Sequence, residues 1–179
     1  MKTLVYCCLL CGLQPALLLA QNQIETYASS LQPGNMMALS IEDVRSSSHL
    51  KESAVLDHKV ANLADGRIAT AWVEGAAKQG IGEWIQFRAQ TQQICMRNGF
   101  QKSKALWAMN SRVQSFAISL DGEPVGTLLL KDNMQTQCVD LTRFKTLSNL
   151  PIVKLTIKGV YPGSRFEDTC VAEIWSQGG

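Results

Sequence analysis

The sequence has 179 residues, of which 46% are hydrophobic and 18% charged, a composition typical of globular proteins rather than disordered chains. The formal net charge is +2, and Lys2 is the only charged residue before residue 21. Such a nearly neutral chain argues against a nucleic-acid binder or a polybasic membrane anchor, both of which depend on an excess of positive charge.

The first twenty residues have the pattern of a signal peptide. Met1 and Lys2 give a short positive start, residues 4–19 are largely apolar, and Ala20 precedes Gln21 at a small-residue cleavage point. An uncleaved amino-terminal anchor is the alternative. No later apolar run approaches 18 residues, so the sequence predicts no membrane span, and we expect a secreted or periplasmic protein.

Three cysteines remain after such a cleavage, and export would place them in an oxidising compartment. Cys95 and Cys138 each alternate with apolar neighbours, so both thiols could leave the core on one face of a sheet. This pattern favours a Cys95–Cys138 disulfide with Cys170 free. Three separate buried thiols are the alternative.

Residues 21–37 look like a polar leader with a Pro33-Gly34 turn and no sustained period. Farther along, apolar and polar residues alternate with a period of two, which predicts short strands. These strands begin near Ile85, Phe116, Val125, Val139, Val153 and Val171. No stretch holds a helical stripe for three turns, so the predicted fold class is an all-β antiparallel sandwich.

The loops are richer in aromatic and polar residues than strand connections require, and loops are where such scaffolds usually carry function. The N-x-x-D-G pattern at 62–66, followed by Thr70-Ala71-Trp72, resembles the signature of galactose-binding-like (discoidin, or factor 5/8 type C) β-sandwiches. Further motifs resemble a narrower branch, the glycan-binding domain found beside bacterial secreted NAD glycohydrolases. These motifs lie at 72–75, 80–85, 98–103, 110–113 and 160–174.

The resemblance covers residues 38–176 and implies a jelly-roll sandwich whose loops at one end bind a ligand, often a sugar. It does not imply NAD glycohydrolase activity, which belongs to a separate catalytic domain.

The resemblance also implies a possible structural Ca²⁺ where the D-G…T loop meets a glutamate near the carboxyl terminus. Asp65, Thr70 and Glu173 could supply three of the six to eight oxygens that Ca²⁺ needs. Arg67 departs from the family pattern, because a second acid often stands there. The alternative is a metal-free turn in which Asp65 accepts backbone N–H groups.

A polyol ligand needs aromatic faces to stack on and both donors and acceptors around its rim. Trp107 and Tyr161 are the candidate aromatic platforms, whereas Trp72 and Trp84 are expected to be packed. The candidate polar residues are Glu74, Asn98, Gln101, Lys102, Asn110, Arg112 and Asp168. Their alternative role is a hydrogen-bond network that stiffens the loops.

The sequence therefore predicts an exported, non-catalytic module that binds a glycan or a related polar cell-surface ligand. The alternative is a structural or protein-interaction domain with a protein partner and no small ligand. A glycosidase would need two acids at a set separation; Glu74 and Asp168 could form such a pair, but nothing in the sequence fixes their spacing.

Overall fold

The computed structural model describes residues 22–29, 41–51, 57–89, 93–146 and 148–176. The predicted signal peptide and the Pro33-Gly34 turn lie outside these residues. The strands are β1 (Gln23–Glu25), β2 (Tyr27–Ser29), β3 (Glu42–Ser46), β4 (Trp72–Val73), β5 (Trp84–Arg88), β6 (Gln93–Asn98), β7 (Ser111–Leu120), β8 (Glu123–Leu129), β9 (Thr136–Asp140), β10 (Ile152–Tyr161) and β11 (Thr169–Ser176). A 3₁₀ turn spans Val60–Ala64, and a short helix, α1, spans Lys104–Met109.

The strands form one hydrogen-bonded path in the order β2-β9-β6-β11-β7-β10-β5-β3, with β8 beside β7 and β4 beside β11. Strands β11 and β7 join the two halves of this path through a short parallel contact. It consists of two residue pairs, Thr169 with Ser111 and Cys170 with Arg112. Side chains from both sides of this contact share one buried core; Met96 and Ile174 pack with Phe116 and Leu155. The predicted all-β sandwich is thus confirmed.

Strand β10 shows why the period-two pattern was informative. Val153, Leu155 and Ile157 are buried in the core, while Lys154 and Lys158 alternate with them outside it. The Asp121-Gly122 turn also forms as predicted, because both residues have the positive φ (51° and 90°) that a tight hairpin between β7 and β8 requires.

The cysteines follow the same alternation on the other side of the sandwich. Cys95 lies directly opposite Cys138 in the β6–β9 register, and the two form a disulfide. They cluster with Trp175, apart from the main core, while Cys170 is a buried free thiol.

The amino-terminal leader has a structure that its sequence pattern did not predict. Strand β1 adds in parallel to β8, and β2 adds in antiparallel to β9, so residues 22–29 cover an edge on each side of the sandwich. We call this segment the strap. Local pattern missed it because two three-residue strands are too short to show a period. Within the described parts of the chain, no helix is long and apolar enough to cross a membrane.

Candidate functional site

The motif-bearing loops meet at one end of the sandwich around a cavity of about 270 Å³, which we call the loop-end pocket. Its lining comes from four separate stretches of chain. The lining residues are Leu50, His58, Val73, Phe100, Lys102, Leu106, Asn110, Phe166 and Asp168. The pocket is therefore largely apolar, with a few charged and amide groups.

The floor of the pocket is a small apolar cluster separate from the main core. Val73 and Cys170 are buried in it, and Leu50 and Phe100 pack against them. The ring of His58 meets Phe100 edge-on, with 5.7 Å between the ring centroids. These contacts fix the shape of the floor.

Leu50 and His58 were not predicted as site residues, and the structure shows why. Backbone hydrogen bonds tie their segment to β4: the Leu50 N–H donates to Val73 O (2.8 Å), and the Val73 N–H donates to His58 O (3.2 Å). Both residues precede the recognisable motifs, so only the tertiary pairing brings them to the pocket.

The opposite wall depends on α1. The backbone N–H groups of Arg165 and Phe166 both donate to Met109 O, at 3.1 and 2.9 Å, which satisfies a carbonyl left free at the end of the helix. Gly163 passes so close to Met109 that a Cβ there would collide with the backbone. This close approach places Phe166, 37% exposed, at the pocket rim.

Of the predicted polar residues, Lys102, Asn110 and Asp168 line the pocket. The Asn110 amide nitrogen donates to Leu106 O at 2.9 Å, which fixes the orientation of its side chain. Among the described residues, neither the Asp168 carboxylate nor the Lys102 ammonium has a hydrogen-bond or ion-pair partner. Both charges are therefore available to a ligand.

Glu74 is fully buried and is not among the residues that line the pocket. Its carboxylate accepts the N–H of Ala76 (2.8 Å) and of Thr169 (3.2 Å), which fastens the loop after β4 to the start of β11. Burial raises its pKa, and the nearby charges of Asp168 and Glu83 act in the same direction.

Asn98 and Gln101 are also buried and engaged within the protein. The Asn98 side chain pairs with the backbone of Val113, donating to its carbonyl at 2.7 Å and accepting its N–H at 3.1 Å. The Gln101 amide donates to Asn98 O at 3.0 Å and accepts from Arg97. These bonds hold the turn between β6 and α1.

Trp107 and Arg112 form a stacked pair. The guanidinium lies 4.5 Å from the centre of the indole ring and binds both carboxylate oxygens of Asp132, at 2.8 and 2.9 Å. The indole N–H donates to Asn98 O at 3.1 Å. The sequence analysis did not predict this role of Asp132, because no motif around Asp132 indicates that it pairs with Arg112.

The remaining aromatic residues are held within the fold. The Tyr161 hydroxyl donates to Leu130 O at 3.0 Å. Trp72 is fully buried, as expected, and its indole N–H donates to Ser48 O at 2.9 Å. Trp84 is half-buried, with the Lys154 ammonium 4.5 Å from its ring centre.

The three residues that the resemblance implies for Ca²⁺ do meet. Thr70 Oγ1 donates to the Asp65 carboxylate at 2.8 Å, and the Arg67 N–H donates to both Asp65 (2.9 Å) and Glu173 (2.7 Å). Burial, with a hydrogen bond to Asp65, raises the pKa of Glu173 to about 8.

This donor set suits calcium chemically, because two carboxyl groups and a hydroxyl are hard oxygens. It is incomplete, since no group of three or more His, Cys, Asp or Glu residues in the described parts of the chain is arranged to hold a metal. Backbone carbonyls would have to supply the remaining ligands.

Comparison with known families now places the chain. Residues 37–177 match the family described as the NAD glycohydrolase translocation F5/8 type C domain. The chain belongs to this family. The likeness seen in the loop motifs is thereby confirmed, and comparison with curated proteins finds no match.

Two solved structures of ZmpB from Clostridium perfringens are similar in fold. Its CBM32-1 and CBM32-2 domains give a TM-score of 0.57 at 10% identity, covering 87% of this chain and 41% of that chain. A structure of those domains with the M60 catalytic domain gives 0.56 at 12% identity, covering 89% of this chain and 17% of that chain. This chain spans less than half of either. At these identities the likeness shows a shared fold.

Proposed function

We propose that this protein is an exported, non-catalytic module that binds carbohydrate or a related polar surface ligand in the loop-end pocket. The observation that carries the proposal is the Asp168 carboxylate, which has no partner among the described residues and lies at the edge of a preformed apolar pocket. A sugar ring has an apolar face, which would contact Phe100 and Phe166. Its edge carries hydroxyl groups, which would donate hydrogen bonds to Asp168.

Under this proposal the predicted polar set divides into two roles. Lys102, Asn110 and Asp168 contact the ligand, because they line the pocket. The other members hold the loops in place, since their hydrogen bonds are made within the fold. These members are Glu74, Asn98, Gln101, Trp107, Arg112 and Tyr161.

The binding function is tested on a glycan array with the chain that begins at Gln21. We expect saturable binding that Asp168→Asn and Phe166→Ala each weaken at least about tenfold, or about 1.4 kcal/mol. Ile81→Ala is the matched control, because Ile81 is an exposed apolar residue outside the pocket lining. Binding that survives both pocket variants would contradict the assignment of this site.

The alternative, a structural or protein-interaction domain, has one observation in its favour. Most of the predicted polar residues form hydrogen bonds inside the protein, as a network that only stiffens loops would do. A blank array, with pocket variants that change only the melting temperature, would support this alternative.

Export and calcium are further parts of the proposal. Amino-terminal sequencing of the exported protein should begin at or near Gln21, and an intact Met1 would argue for an anchor instead.

If Asp65, Thr70 and Glu173 hold Ca²⁺, the ion should raise the melting temperature of the wild type and not of Asp65→Asn. Equal melting temperatures with calcium and with chelator would remove the ion from the proposal.

A further inference from the structure

A second groove, of about 440 Å³, lies beside the strap. It falls in the range of about 300–1,000 Å³ that ligand pockets usually occupy. We call it the strap groove. Its lining residues are Gln23, Ile24, Glu25, Tyr27, Asp140, Thr142 and Arg143.

The strap groove and the loop-end pocket lie at opposite ends of the sandwich. Gln93 begins β6 and pairs with Asp140 of the groove, whereas Phe100 and Lys102 of the pocket follow the other end of β6. Six residues of extended chain cover about 20 Å. The groove is therefore a separate site.

Residues 23–27 of the strap alternate between exposed and buried. Ile24 and Thr26 are buried, and Thr26 Oγ1 donates to the Gln137 side chain at 3.0 Å. Gln23, Glu25 and Tyr27 are consequently turned outward, toward the groove. Two buried residues thus hold three polar or aromatic side chains in position.

The groove offers the combination of an aromatic ring and polar groups that a sugar ring requires. Tyr27 is 44% exposed. Among the described residues, the side chains of Gln23 and Glu25 have no hydrogen-bond partner. The Arg143 guanidinium lies 4.8 Å from the centre of the Phe144 ring, and its positive charge also acts on Asp140. By contrast, most of the residues predicted for sugar binding at the loop end already form hydrogen bonds within the protein.

Asp140 completes the arrangement. Its carboxylate accepts the Thr142 N–H at 2.8 Å, which keeps it at the groove edge. Tyr27 and Asp140 both line the groove, and burial, followed by the negative charge of Asp140, raises the pKa of Tyr27. The groove therefore combines an aromatic face, two carboxylates, a guanidinium, an amide and a hydroxyl.

We propose that the strap groove is a second binding site, for a neutral oligosaccharide. The Tyr27 ring stacks on a sugar face, Glu25 and Asp140 accept hydroxyl hydrogens, and Arg143 donates to ring or hydroxyl oxygens. The ligand is neutral because two carboxylates against one guanidinium leave the groove with net negative charge, which repels an acidic sugar. This site does not depend on the loop-end pocket.

The test is calorimetric titration of the chain beginning at Gln21 with cellohexaose, xylohexaose and chitohexaose, and with hexagalacturonate as the acidic comparison. At least one neutral oligosaccharide should bind with Tyr27→Ala weakening it about tenfold or more, and Arg143→Gln should weaken it in the same direction. Tyr27→Phe keeps the ring and should retain affinity within about threefold. Hexagalacturonate should not compete.

Asp168→Asn separates the two sites, because it alters only the loop-end pocket and should leave this binding unchanged. Absence of binding by all three neutral probes would overturn the proposal, as would binding that Tyr27→Ala and Arg143→Gln leave intact or that Asp168→Asn abolishes. Should Tyr27→Ala lower the melting temperature and disturb the strap, the exposed Arg143→Gln variant decides the question alone. Failure of the loop-end site would appear separately, as array binding indifferent to the Asp168 and Phe166 variants.

Discussion

The guanidinium of Arg112 lies 4.5 Å from the centre of the Trp107 ring, and together they form a strut between α1 and β7. Asp132 holds the guanidinium from the other side with two hydrogen bonds. Gly99 fits beneath the pair, where a Cβ would collide with both side chains. The strut fixes the wall that carries Asn110.

Arg112→Ala should lower the free energy of unfolding by about 2–3 kcal/mol, because it removes a paired charge with charge-assisted hydrogen bonds. Asp132→Asn should cost less, since Asp132 is partly exposed and an amide can still accept one bond. Denaturant unfolding of both variants measures this. A loss below about 0.5 kcal/mol for Arg112→Ala would show that the strut adds little to stability.

The strap depends on the absence of a side chain at Gly126. This residue has φ of 153°, and a Cβ would collide with Asn22 O, which accepts the Thr127 N–H at 2.9 Å. Gly126→Ala should cost about 1–3 kcal/mol and increase hydrogen exchange at the Thr127 amide.

Gly122→Ala is the matched control for the strap. Gly122 also has positive φ, but no atom lies within 4 Å of the position that a Cβ would take. Gly122→Ala and Gly126→Ala therefore both introduce backbone strain, but only Gly126→Ala adds a collision. Thr127 protection should persist in this variant. If Gly126→Ala left that protection intact as well, the strap would not depend on this contact.

Glu74 predicts a pH dependence of stability. Burial raises its pKa in the folded state above the ordinary value of 4.5. Its contribution is therefore fully present below about pH 4.5, where the group is protonated in both states, and is lost as pH rises through the folded-state pKa. Between about pH 4.5 and the folded-state pKa, the free energy of unfolding should fall less steeply with rising pH in Glu74→Gln than in the wild type.

Asp168→Asn provides the control for this effect, because removing a neighbouring negative charge should lower the Glu74 pKa and move the loss of stability to lower pH. An identical pH slope in the wild type and Glu74→Gln would mean that other groups cause it.

The disulfide closes a sequence separation of 43 residues. Replacing Cys95 and Cys138 together with serine should lower stability by about 2–4 kcal/mol. Thiol titration under denaturing, non-reducing conditions should find one reactive thiol in the chain from Gln21, that of Cys170. Three reactive thiols would show that the bridge does not form.

Much of the fold could be predicted because its signals are local. The alternation in β10 places Val153 and Leu155 in the core, and the Asp121-Gly122 pair specifies a hairpin, whatever the rest of the chain does. Trp72 was expected in the core, and it is there. The strap escaped prediction since strands of three residues carry no period and are stabilised by edges far away in sequence.

The sequence by itself determined the class of fold, its family and the loops that would meet at one end. Only the tertiary structure decided which polar groups remain free. Arg112 is committed to Asp132, twenty residues away, while Asp168 has no partner among the described residues. Burial and pairing are properties of distant segments brought together, so identical residue types in similar loops become either internal struts or groups available to a ligand.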